Sequence, residues 1–102
     1  LRSRGVEVIT VPSRGPRVEV ADVAAAVTPR TRLLTTSFVQ FASGFRADLA
    51  ALGELARSRG LFFFVDAIQG LGAFPVDVQA CGIDALAADG HKWLLGPDGA
   101  GL

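Results

Sequence analysis

The chain is poor in the residues that usually announce chemistry. Its 102 residues contain one cysteine, one histidine and one lysine, and ten Lys plus Arg are balanced by ten Asp plus Glu, for a net charge of zero. Each scarcity excludes a class of function. Without a concentrated basic face, and with its arginines scattered along the chain, it has no electrostatic reason to bind nucleic acid or an anionic membrane. Cys81 has no second thiol with which to close an internal disulfide, and His91 has only scattered carboxylates for company, too few to build a metal cage. A reducing, cytoplasmic setting is the expectation. The longest apolar stretch, Leu61 to Val65, is far too short to cross a bilayer, and the first residues lack the charged-then-apolar layout of a signal peptide.

What is present is a globular composition: half the residues are apolar and a fifth are charged, which excludes disorder. The chain opens on Leu1 and stops at Leu102 after a Gly-rich run, so residues 1–102 are expected to be a partial domain, incomplete at both ends. Val6 to Val11 is β-branched with weak alternation, and Pro12, Ser13, Gly15 and Pro16 then break it, predicting a strand and a loop. Val20 to Val27 is alanine-rich with helical spacing and closes at Pro29. Arg32 to Val39 reads as a strand covered on both faces. Asp48 is placed to cap a helix whose Leu49, Leu52, Leu55 and Ala56 form one apolar stripe ending at Gly60. Two further apolar runs, Leu61 to Val65 and Ile83 to Ala88, end in Asp66 and in Asp89-Gly90-His91-Lys92. The alternation predicts an α/β fold, a mainly parallel sheet in a three-layer α/β/α arrangement, with ligands outside the carboxyl ends of its strands. Asp66 and Lys92 both fall at such ends.

Lys92 stands out against a background that uses arginine for every other positive charge. Only an amine can shed its proton and act as a nucleophile, so a lone lysine suggests a position where guanidinium would fail; chance retention of a surface lysine is the alternative. Asp66 follows four apolar residues, and its carboxylate needs either a cationic or hydrogen-bonding partner or a turn to cap; Gln69 has the same two readings. Gly70-Leu71-Gly72 lacks the third glycine and helix start of a dinucleotide fingerprint. Gly96-Pro97-Asp98-Gly99-Ala100-Gly101 lacks the Gly-Lys-Ser/Thr ending of a phosphate loop. A turn before a strand suits the second run better.

Phe64-Val65-Asp66-Ala67-Ile68-Gln69, then Gly90-His91-Lys92, then Gly96 to Gly101, together resemble the class V aminotransferases, pyridoxal-phosphate enzymes of fold type I that include cysteine desulfurases, selenocysteine lyases, kynureninases and isopenicillin-N-epimerase-like proteins. The resemblance covers essentially the whole chain, since Ser37 to Leu49 is similar to the family's substrate-side loop and following helix. It implies part of a pyridoxal-phosphate-binding large domain, a homodimer in the full-length protein and an amino acid as substrate. Lys92 matches the lysine that forms a Schiff base with the cofactor aldehyde and later acts as a base at the substrate's α-carbon. Asp66 matches the acid paired with the pyridine nitrogen, and Gln69 the side chain bonded to the ring's 3-hydroxyl. His91 matches a residue beside the cofactor phosphate, or else merely orders its loop.

Two departures accompany the likeness. Cysteine desulfurases commonly carry serine where Asp89 stands, and a histidine and an asparagine at the positions of Phe38 and Phe41. The run Phe38 to Arg46 is more similar to the broad aminotransferase-like branch. Transamination, epimerisation and elimination therefore stay open, with cysteine desulfurase or selenocysteine lyase as the alternative enzyme and a catalytically silent structural or partner-binding subunit as the alternative of another kind. Cys81, between Ala80 and Gly82, reads as a buried structural thiol rather than a persulfide carrier. Trp93 is left between packing on the cofactor or a dimer surface and packing in the core.

Overall fold

A computed structural model describes residues 2–102. After a 3-10 turn at Arg2–Arg4, the order is α1 (Val20–Ala26), β1 (Leu33–Ser37), α2 (Leu49–Arg59), β2 (Phe62–Asp66) and β3 (Ala85–Ala87). The three strands form one parallel sheet in the order β1-β2-β3. The expected α/β class and parallel sheet are both present. Register is set so that Ser37, Asp66 and Ala87 lie side by side at the carboxyl edge.

Helix α2 forms where its caps and stripe direct it. Asp48 accepts the Ala51 N–H at 3.0 Å, satisfying one of the donors a helix start leaves free. At the other end Gly60 takes the left-handed conformation, φ 65°, and its N–H returns to the carbonyls of Ala56 and Arg57. The stripe buries Leu49, Leu52 and Ala56, while Leu55 is only half-buried. Gly53 completes the buried face instead, because the backbone of Cys81 presses against it.

Strand side chains alternate. Phe63 and Val65 are 0% exposed and join Leu52, Ala56, Leu61 and Ala67 in the core, the Phe, Val and Leu side chains each contributing about 1.5–3 kcal/mol through burial. Phe62, Phe64 and Asp66 point to the other face, where Leu33 pairs with Phe62 and both remain about half exposed. α1 packs on α2 and adds Val23 to the same core. In front of it, Arg14 donates from Nε and Nη2 to the two carboxylate oxygens of Asp22, each at 2.6 Å.

One expected element is absent. Val6 to Val11 is extended but forms no strand: its backbone has no ladder partner among the described residues, and Val6, Val8 and Ile9 stay largely exposed. A β-branched run becomes a strand only where a neighbouring edge takes its hydrogen bonds. The last apolar run also shortens, from the expected Ile83 to Ala88 to Ala85–Ala87, because Asp84 instead accepts the Phe63 N–H through its side chain at 2.7 Å.

Candidate active site at the carboxyl edge

Three loops leave the carboxyl edge, and backbone bonds fold each into a fixed shape. The first, after β1, is anchored where the Phe38 N–H bonds the Asp66 carbonyl and the Ala47 N–H bonds the Phe38 carbonyl, both at 2.8 Å. Between these anchors Gln40 donates to the Phe45 carbonyl and Gly44 to the Gln40 carbonyl, which makes a tight turn with Phe41 near its tip. The second, after β2, turns at once: the N–H groups of Gly70 and Leu71 both bond the Ala67 carbonyl. The third, after β3, doubles back on itself. Ala88 and Leu102 exchange two bonds of 2.9 Å, and the Gly90 N–H reaches the Ala100 carbonyl at 2.6 Å.

These loops touch. Gly70 lies under the ring of Phe38, so closely that a Cβ there would be 2.1 Å from Cδ1. Phe38 is buried and meets Phe74 edge-on at 6.0 Å, and the Arg46 guanidinium covers the Phe74 ring at 4.9 Å. The third loop closes on the second at Gly72, whose φ of 91° and lack of a side chain let it approach the Trp93 carbonyl. The first and third loops meet at the Lys92 amine, which stands 5.5 Å from the centroid of the Phe41 ring.

The four expected site residues therefore sit on two adjoining loops. Asp66 ends the central strand, half-buried, and its Oδ1 accepts the Ile68 N–H at 3.1 Å, so it does cap a turn, with Oδ2 left uncommitted. Gln69 follows in the same turn, half-buried, with no side-chain hydrogen bond among the described residues. His91 presents Nδ1 to two carboxylates, Asp89 at 3.8 Å and Asp98 at 3.9 Å. Asp89 thus turns its charge toward the imidazole. Lys92 enters no ion pair among the described residues. None of the four hydrogen-bonds to another.

Leu95, just beyond, is the one non-glycine residue with positive φ among those described, at 55°, and it is 90% exposed. That conformation costs about 1–2 kcal/mol and is imposed by the bonds Leu95 N–H to Lys92 carbonyl and Gly96 N–H to Gly90 carbonyl, which pinch the lysine turn closed. Trp93 is more than half exposed, so it does not pack in the core formed by the described residues. Cys81 is half-buried, and burial pushes its thiol pKa up, with the charges of Asp77 and Asp48 adding to the effect. This agrees with a structural thiol. The Phe41–Lys92 contact, by contrast, was not legible, because no periodicity or spacing reports that two loops far apart in sequence will meet.

The family model "Aminotransferase class-V" matches residues 2–102. The chain belongs to the class V aminotransferase family. A relative described as a probable cysteine desulfurase from Methanothermobacter thermautotrophicus is 40% identical over 103 residues, covering 100% of this chain and 26% of its own length. Among solved structures, SspA in complex with cysteine superposes with a TM-score of 0.89 at 28% identity, over 98% of this chain and 29% of that one. The cysteine desulfurase CsdA from Escherichia coli superposes with a TM-score of 0.82 at 36% identity, over 91% of this chain and 23% of its own. The chain thus spans about a quarter of the length of the family members it matches.

Proposed function

We propose that this chain is part of the large domain of a pyridoxal-phosphate enzyme acting on an amino acid, with Lys92 as the point of cofactor attachment. The observation that carries the proposal is the position of the sole lysine, on a pinched turn beside the carboxyl edge of a parallel sheet whose central strand ends in a carboxylate. The donor set fits the group. Asp66 has a carboxylate oxygen to spare for a protonated ring nitrogen, the Gln69 amide is free to donate to a phenolic oxygen, and the Lys92 amine is unpaired among the described residues. Because Asp89 and Asp98 flank Nδ1 of His91, its Nε2 is the end left to meet a phosphate.

When bound, pyridoxal phosphate supplies an aldehyde and an electron-accepting ring. Asp66 would hold a proton at the ring nitrogen and so keep the ring electron-poor. Lys92 would hold the group through its amine and would move a proton at the substrate's α-carbon. Gln69 and His91 orient the group. Arg in place of Lys92 could do neither of its tasks. The setting we propose with this reading is a homodimer in a reducing cytoplasm, supported by the family resemblance and by the single cysteine.

Borohydride reduction of the full-length protein, followed by peptide mass analysis, tests the reading. The phosphopyridoxyl group is expected on Lys92 and nowhere in Lys92→Ala. An intact, folded protein that takes up no cofactor refutes it and leaves the silent-subunit alternative standing, against which the joint retention of Asp66, Gln69 and Lys92 argues. A second reading, cysteine desulfurase, is favoured by the desulfurase relatives. Release of sulfide from L-cysteine by the full-length protein decides it.

A further inference from the structure

We infer that Phe41 sets the substrate side-chain preference of this site, forming a wall that accepts α-amino acids with apolar side chains and rejects those with acidic ones. The inference rests on the role proposed for Lys92. An amine that exchanges a proton with the substrate's α-carbon must approach that carbon to about 3–3.5 Å. The Phe41 ring centroid lies 5.5 Å from Nζ, so the ring borders the space in which the α-carbon and its first side-chain atoms must lie.

Core packing among the described residues does not account for the residue's position. Phe41 is 84% exposed, whereas Phe38, three residues earlier on the same loop, is buried between Gly70 and Phe74. The backbone that carries the ring is nevertheless fixed. The Gln40–Phe45 and Gly44–Gln40 backbone bonds fix its turn, and Ser43 Oγ donates to the Pro16 carbonyl and accepts the Phe45 N–H. Its counterpart Lys92 is fixed by the pinched turn between Gly90 and Gly96.

The chemistry of the ring decides what it tolerates. A phenyl face is electronegative and offers no hydrogen-bond donor, so a side-chain carboxylate placed against it loses water and gains nothing in return. An apolar side chain gains buried area there. The α-carboxylate is common to every amino acid and is not discriminated by this wall.

The test uses full-length holoenzyme and needs no knowledge of the reaction. L-Leucine and L-aspartate, similar in shape and opposite in polarity, are titrated against the cofactor absorbance to give dissociation constants. Wild type is expected to bind leucine about tenfold more tightly than aspartate. Phe41→Leu should keep that preference, and Phe41→Asn and Phe41→Gln should reduce it to about one. Borohydride attachment at Lys92 is read in each protein as an independent check of the site. A wild-type protein that prefers aspartate overturns the inference, as does an unchanged ratio in either polar variant with attachment intact. Absence of attachment in wild type is a different result: it removes the proposed function and this inference with it.

Discussion

Replacing Gly53 by alanine sets two opposed effects against each other, and their sizes can be worked from the structure. Gly53 lies in the interior of α2, where alanine is favoured over glycine by about 0.8–1.0 kcal/mol. Propensity alone therefore predicts a stabilised helix. A Cβ at this position, however, would stand 1.7 Å from the Cys81 carbonyl oxygen and 2.8 Å from its carbon. Carbon and carbonyl oxygen ordinarily meet no closer than about 3.3 Å, so the two backbones must part by roughly 1.6 Å. The obstacle is main chain, and it cannot swing aside as a side chain would. It is also braced, because Cys81, Gly82 and Ile83 all donate within the turn, to Asp77, Gln79 and Val78.

Overpacking of this kind costs about 1–3 kcal/mol, and a clash into braced backbone belongs at the upper end. After the propensity gain, Gly53→Ala is expected to destabilise the full-length protein by about 2 kcal/mol. The urea midpoint measures it, with Ala50→Gly, exposed in the first turn of the same helix, as a control that should lose no more than about 1 kcal/mol. The displaced turn leads directly into β3 and the lysine loop, so the variant should also retain pyridoxal phosphate less well. A Gly53→Ala protein that is neutral, or more stable by the propensity increment, would refute the reasoning.

Two further outcomes follow from the same geometry. Leu95→Gly relieves the left-handed backbone at the cost of added freedom in the unfolded chain, for a net gain of up to about 1 kcal/mol in the urea midpoint, since the 90% exposed side chain contributes little packing. Cys81, with its pKa raised by burial and by Asp77 and Asp48, should alkylate more slowly near pH 8 than the same thiol in urea. The fold's preference for the protonated thiol is complete below the ordinary thiol range and is lost as pH climbs through the folded value, so stability declines on the alkaline side. Equal alkylation rates in folded and unfolded protein would contradict this.

Much of the architecture was legible because its signals are local. Asp48, the apolar stripe and Gly60 together specify both ends of α2, and the alternation that buries Phe63 and Val65 follows once Leu61 to Val65 is a strand. The placement of Asp66 and Lys92 at strand ends followed from the same pattern. Val6 to Val11 reads as a strand yet forms none here, because strand formation is a property of a pair of segments, and one segment cannot reveal whether an edge awaits it. Gly53 was passed over within the stripe for a related reason: only the approach of Cys81 gives it a purpose.

The two phenylalanines that stand where the resemblance leads one to expect polar residues sit in different surroundings. Phe38 lies in the core, where Gly70 admits its ring, Phe74 meets it edge-on and Arg46 covers Phe74 in turn. Restoring a polar residue at position 38 alone would bury an unsatisfied group against Gly70 and restore no chemistry. Phe41 has no such compensation; it stays in the open beside the Lys92 amine. A substitution absorbed by its neighbours is a matter of packing, and one left exposed at a reactive group changes what that group can meet.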